Sequence, residues 1–306
     1  MDYVERVEFE KDKLINLIDL LNDGPKNILG ADIYKKYGAH FPLLLKWLEA
    51  NDVLSVQLHP SNSNPLLKEN ECGKPEAWLV LNVENNGYVY LGFKEGLSKE
   101  KIIECSKNDE LEECLHKYKP KKFDYISVPT GCVHAVGPGV LVAEPQYVLP
   151  QKIAKTWRIS DWKRLYDAEG RQSPHGKPRE LHGEESFSAI DWDLPRGVQL
   201  EKLLIRNITI NDTFVGDKNN PFALKIFSGS GEYNYTPLLA HSFSLFTVWS
   251  GQVTLSTAQE TLRLKGGESG FICASNDSEH NVKVILEQGE ENANIAFFAL
   301  NESMIK

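Results

Sequence analysis

YISVPTGCVH (residues 125–134) returns in altered form as FICASNDSEH (residues 271–280). Both stretches open on an aromatic residue followed by isoleucine, and both end in histidine after a turn of small residues. An echo of this kind predicts one architecture used twice. The surrounding sequence agrees. From about Leu200 short β-type runs alternate with turns, as in FALKIFSGSGEY, FSLFTVWSGQVTLST and HNVKVILEQGEENANIAFFAL, and no segment of helical period interrupts them. That texture marks a sandwich or barrel. In the first half the same texture runs through LSVQLHPS, PEAWLVLNV, GYVYLGF and ISVPTGCVHAVGPGVLVAEPQ.

The expected fold is therefore mainly β: two β-barrels of related construction, the first decorated with α-helices. The expected division is 1–190 and 191–306, with the polar stretch 165–185, including RQSPHGKPRELHGEE, as loop and linker. KLINLIDLLND predicts a helix over about 12–23, closed by Gly24-Pro25. SKEKIIECSKNDELEECLHKY predicts another over 98–118, with Ser98 as its N-cap. FPLLLKWLEAND reads as a further apolar, helix-like segment, and Asn85-Asn86-Gly87 as a hairpin turn between PEAWLVLNV and GYVYLGF.

Composition excludes several classes of function. The chain has 306 residues, 41% of them hydrophobic, enough for sizeable cores. Its formal net charge of -9 is the wrong sign for gripping a phosphate backbone, so nucleic acid is not an expected partner. No apolar run approaches the roughly 20 residues needed to span a bilayer, and MDYVERVEFEKDK is too charged for a signal peptide. A cytoplasmic location is expected, with no membrane partner. Five scattered cysteines without a CxxC pair suggest reduced structural thiols, neither a disulfide framework nor a thiolate metal site.

The chemistry concentrates in the strand LSVQLHPS (residues 54–61), where Val56 and Leu58 fall on one face and Ser55, Gln57 and His59 on the other. Lys74 and Glu76 in GKPEAW and His134 in PTGCVHAVG are further candidates. Two imidazoles, one carboxylate and one amide oxygen form a mixed nitrogen and oxygen set suited to a divalent first-row metal, zinc foremost. A polar interior satisfied by its own hydrogen bonds is the competing reading of the same residues. His280, at the end of the echo, has no companion of the Gln-x-His kind nearby, so the second barrel is expected to hold no metal.

LSVQLHPSN, GKPEAWLVLN, ISVPTGCVHAVGPGVLVAEPQ, TWRISDWKRLYD and GKPRELH stand in the order and wording of the type I mannose-6-phosphate isomerases, which this chain resembles over residues 40–185. The resemblance implies two cupin-type (jelly-roll) barrels and a zinc-dependent aldose–ketose isomerase acting on a sugar phosphate. It implies Gln57, His59, Glu76 and His134 as metal ligands. It places Ser55, Lys46 and Lys74 around the sugar phosphate, and Arg158 with Glu144 in the active site. An enediolate intermediate needs positive charge near its oxygens, which the metal and Arg158 would provide. The proton carrier stays open among Glu144, Lys74 and a water on the metal. Monomer and homodimer are both compatible with the sequence.

Two departures from the family pattern stand out. Nothing before residue 10 matches the usual first β segment with its Trp-Gly-Gly type motif, and PQYVLPQKIAKTW is longer than the usual polar run before the arginine. The altered loop leaves room for a sugar-phosphate-binding protein without turnover. An iron-dependent cupin oxidoreductase is a second rival, disfavoured because oxygen chemistry needs no phosphate cradle.

Overall fold

A computed structural model describes residues 6–9, 13–217, 219–258, 260–275 and 281–305. Among the described residues strands far outnumber helices, so the expectation of a mainly β fold holds. His280 lies outside the described residues, and with it the end of the sequence echo.

The chain forms two compact units, Leu44–Asn207 and Met1–Leu43 with Ile208–Lys306. The first 43 residues and residues 191–207 thus group differently from the 1–190 and 191–306 division read from the sequence. Long-range bonds explain the first of these placements. Tyr37 donates its hydroxyl to the Met304 carbonyl at 2.6 Å, Ala274 N–H reaches the Ile28 carbonyl, and Phe41 packs edge-on against Phe243.

In the Leu44–Asn207 unit two five-stranded sheets supply the barrel. One runs in the order Trp157–Ser160, Val56–Leu58, His134–Val136, Val89–Phe93 and Leu115–Tyr118. The other runs Ile205–Asn207, Asp124–Val128, Glu76–Val83, Val140–Tyr147 and Leu43–Ala50. Both contribute to one interior, where Trp78, Val80, Leu91, Ile126, Val136 and Val142 pack together. Val56 and Leu58 instead face outward, into a second cluster with Trp157, Ile159, Ile102 and Cys105 under the helix Lys99–Lys107. The two-residue period therefore leaves Gln57, between them, on the interior side.

The other unit repeats the plan with antiparallel strands. One sheet runs Thr213–Val215, Phe222–Gly229, Ala293–Leu300, Ser244–Ser250 and Ser269–Ile272; the second runs Gly231–Tyr235, Val282–Leu286, Gln252–Ser256 and Thr261–Lys265. Phe227, Phe246, Val253, Val284 and Phe297, drawn from both sheets, form its core.

Several local expectations change. Lys13–Asn16 is a strand paired with Arg6–Phe9, and helix begins only at Leu17. The helix capped by Ser98 stops at Lys107, because the positive φ of Asp109 turns the chain into a 3-10 turn, Leu111–Cys114, and a strand, Leu115–Tyr118. FPLLLKWLEAND supplies the strand Leu43–Ala50, so Lys46 sits on a sheet. Asn85 and Asn86 take positive φ as their turn requires, yet Glu76–Val83 and Val89–Phe93 join different sheets, making this a corner of the barrel instead of a hairpin. Residues 165–185 contain the short pair Leu165–Tyr166 and Lys177–Pro178 and the start of the helix Gly183–Ala189. A helix, Val198–Leu204, also forms from VQLEKLL, whose Leu200 and Leu204 are the buried positions four residues apart.

Candidate metal centre

Sheet register assembles the centre. His134 lies directly across from Gln57, and Gln57 directly across from Arg158, so the three form one row on the interior face. From the opposite sheet Glu76 pairs with Gln146. His59 follows Leu58 at the strand end and is fully buried.

The ring orientations carry the chemistry. His59 Nδ1 lies 2.9 Å from the Lys155 carbonyl, and His134 Nδ1 lies 2.9 Å from the Cys132 carbonyl. A carbonyl only accepts, so each Nδ1 bears the proton and each Nε2 presents a lone pair. Those lone pairs point at one carboxylate: His59 Nε2 is 3.1 Å from Glu76 Oε2, and His134 Nε2 is 3.2 Å from Glu76 Oε1. His59 Nε2 and Glu76 Oε1 are buried without a hydrogen-bond donor. One ligand atom from each of the three residues lies within 4.8 Å of the others. Buried acceptors aimed at one another are costly unless a cation sits among them, so the residues fit a metal ion.

Gln57 stands at the edge of this set, its amide nitrogen 3.5 Å from His134 Nε2 and its Oε1 accepting from Ser55 Oγ at 3.3 Å. A half-turn of the amide exchanges oxygen for nitrogen and aims Oε1 at the centre. Ser55 thus touches a candidate ligand.

Burial is the main cause of the depressed basicity of His59, whose pKa falls to about 4. Burial pushes the Glu76 carboxyl up, but the charge that an adjacent imidazole carries while protonated overcomes it and holds this group well below the usual carboxylate range, so Glu76 is already ionised when the imidazoles lose that charge. The resulting form, neutral imidazole beside ionised carboxylate, is the ligating one.

Lys74 Nζ is 3.5 Å from Glu76 Oε2, and Lys46 Nζ is 3.9 Å from Glu144 Oε2. Burial, then the charge of Glu76, raises the Glu144 pKa to about 8. Trp78 donates its indole N–H to Glu144 Oε1 at 3.1 Å, and Gln146 Nε2 bridges Glu144 Oε2 at 2.7 Å and Glu76 Oε2 at 2.8 Å. Trp78 and Gln146 were absent from the sequence-derived candidates, although each lies two residues from one of them on the same strand face. Arg158 is in the row with Gln57, but its Nη1 donates to the Glu180 carbonyl at 2.9 Å and its Nε is buried without a partner.

The altered loop before Arg158 has a defined place. Ile153–Ala154 pairs in parallel with Glu71–Cys72, and Lys155 forms an ion pair with Glu71 at 3.1 Å while its carbonyl holds His59. This segment thus supports a candidate ligand.

Comparisons with known proteins bear on the fold that carries this site. The sequence profile of the phosphomannose isomerase type I catalytic domain matches residues 7–77. The mannose-6-phosphate isomerase of Streptococcus mutans is 30% identical over 223 residues, 73% of this chain and 66% of that protein, so the matched stretch spans just under two thirds of its length. The structure of mannose 6-phosphate isomerase from Bacillus subtilis superposes with a TM-score of 0.71 at 23% identity, covering 95% of this chain and 84% of that one. A mannose 6-phosphate isomerase bound with zinc and yttrium superposes at 0.66 with 15% identity, over 94% of this chain and 86% of the other. At such identities the likeness is one of fold.

Proposed function

We propose that the chain is a type I phosphomannose isomerase and that it interconverts mannose 6-phosphate and fructose 6-phosphate in the cytoplasm. The observation that carries this reading is the convergence of two imidazole lone pairs on the buried Glu76 carboxylate, beside Lys46, Lys74 and Glu144.

His59 Nε2, His134 Nε2, Glu76 and the amide oxygen of Gln57 would hold a divalent ion, zinc in the first instance. When bound, such an ion supplies Lewis-acid polarisation of the sugar's carbonyl and hydroxyl oxygens. Lys46 and Lys74 would attract the phosphate as point charges and Ser55 would add a hydroxyl, which fixes the orientation of carbons far from the charge. The reaction moves a proton between C1 and C2 through a cis-enediolate. Glu144 is the group to carry it: a carboxyl whose pKa is raised to about 8 by burial and Glu76 exchanges protons readily near neutral pH. Arg158 adds a fixed positive charge on the interior row toward the developing enediolate.

The test is direct. Purified protein, with its bound metal quantified, is assayed for fructose 6-phosphate formation from mannose 6-phosphate before and after chelation. Turnover that disappears with the metal is expected; a folded, zinc-loaded sample without turnover would sink the isomerase reading.

A further inference from the structure

TWRISDWKRLYD and GKPRELH, two segments with no assigned role beyond Arg158, bind each other. Asp161 is buried, and its carboxylate accepts a bidentate pair from Arg179, at 2.7 Å from Nε and 2.6 Å from Nη2. Arg164 Nη2 shares Asp161 Oδ1 at 2.5 Å. Arg179 also lies over the Tyr166 ring, 4.6 Å from its centroid, and Tyr166 pairs with Lys177. The segment Lys177–His182 is thereby anchored at its start. Its far end is tied to Arg158: the Arg158 N–H donates to His182 Nδ1 at 3.1 Å, and the His182 N–H donates to the Arg158 carbonyl at 2.8 Å. Between these two ties the Glu180 carbonyl receives Arg158 Nη1.

We propose that residues 177–182 form a strap that aims the Arg158 guanidinium, with Arg179 and Asp161 as the positioning residues that tension it. This inference deepens the isomerase reading and rests on it for its catalytic consequence. The geometry explains why the arginine needs help. A carbonyl engages only Nη1, leaving the fork's other donors, including the buried Nε, directed elsewhere. A guanidinium on a freely rotating stem would spread over many rotamers, and a 1 Å displacement from the reacting oxygens is costly in rate. The Asp161–Arg179 fork fixes the position of the Glu180 carbonyl without approaching the metal ligands.

Arg179 is the residue to change, because its side chain is 40% exposed and Arg164 remains on Asp161 when it is lost, so the fold should survive. In Arg179→Ala, kcat for mannose 6-phosphate should fall about thirtyfold with bound zinc unchanged, and Arg179→Lys should fall only partway, since lysine keeps the charge but loses the fork. In an Arg158→Ala background the same Arg179→Ala change should cost nothing further, because its effect passes through Arg158. Losses that multiply, or an Arg179→Ala enzyme within twofold of wild type, overturn the strap. A second measurement works without turnover: the arginine side-chain 15N–1H signal that vanishes in Arg158→Ala should be sharp in wild type and broadened in Arg179→Ala. An unchanged signal also overturns the proposal, whereas inactivity of wild-type protein with the signal behaving as expected counts against the isomerase reading alone.

Discussion

Glu76 faces His59 across 3.1 Å, carboxylate oxygen to an imidazole nitrogen whose own proton is committed to the Lys155 carbonyl on the far side of the ring. The same carboxylate meets His134 in the same way at 3.2 Å. His59 Nε2 and Glu76 Oε1 thus point inward as buried acceptors that no donor reaches.

That arrangement predicts opposite effects of one substitution. Glu76→Gln places an amide donor where the lone pairs point, so the metal-free variant should melt above metal-free wild type. It should also lose the response to zinc. A thousandfold excess of metal over its dissociation constant stabilises a protein by about 4 kcal/mol, which corresponds to a rise of about 10 °C for a unit of this size. Differential scanning calorimetry with and without zinc measures both effects. A Glu76→Gln variant with an intact zinc shift contradicts the ligand assignment.

Arg158→Ala should retain its metal and lose activity by about 100-fold to 1000-fold, as expected for a transition-state charge. Metal analysis alongside steady-state kinetics separates it from His134→Ala, which should lose both. Loss of zinc from Arg158→Ala would place the arginine in the wrong role.

Glu144 gives a pH prediction with a definite sign. Burial and the Glu76 charge raise its folded pKa to about 8, above the unfolded value, so its contribution is fully present below the unfolded pKa and is lost as pH rises through about 8. Metal-free wild type and Glu144→Gln should therefore be equally stable near pH 4. Above pH 8 the variant should be the more stable, by on the order of 4 kcal/mol. Urea titrations across that range read the difference; a variant that is less stable at pH 9 reverses the argument. Turnover in Glu144→Gln should fall by about 100-fold or more.

Lys46 lies 3.9 Å from Glu144 with a half-exposed side chain, a position suited to meeting a phosphate at the rim. Lys46→Met should raise the KM for mannose 6-phosphate more than tenfold and flatten its dependence on ionic strength, with kcat changed far less. A pure kcat effect would move Lys46 from phosphate binding to the chemistry.

Much of this was legible in the sequence because the governing signals are local. The two-residue period of VQL, residues 56–58, separates the outward Val56 and Leu58 from the inward Gln57, and the structure keeps that separation. Glu76 and His134 come from distant strands: their residue types suggested a shared metal set with Gln57 and His59 and the resemblance implied one, but no spacing in the sequence brings them together. Lys46 read as part of a helix-like segment because LLLKWL is a nearly continuous apolar run, and such runs do not distinguish a buried strand from a helix. The Asn85-Asn86-Gly87 signal fixed a turn correctly, but which sheet the next strand joins is decided by packing outside the turn. Gln146 was within reach, two residues past Glu144 on the same strand face. The Asp161–Arg179 pair was not, since nothing in the spacing of two polar segments tells that they close on each other.

The central claim is that His59, Glu76 and His134 hold the ion on which isomerisation depends. Titration of zinc into chelated protein, with turnover of mannose 6-phosphate followed at each addition, tests it most directly. Activity should return in proportion to zinc, saturate at about one equivalent per chain, and fail to return in His134→Ala. Full turnover by metal-free protein, or restoration of His134→Ala to the wild-type level, would contradict it.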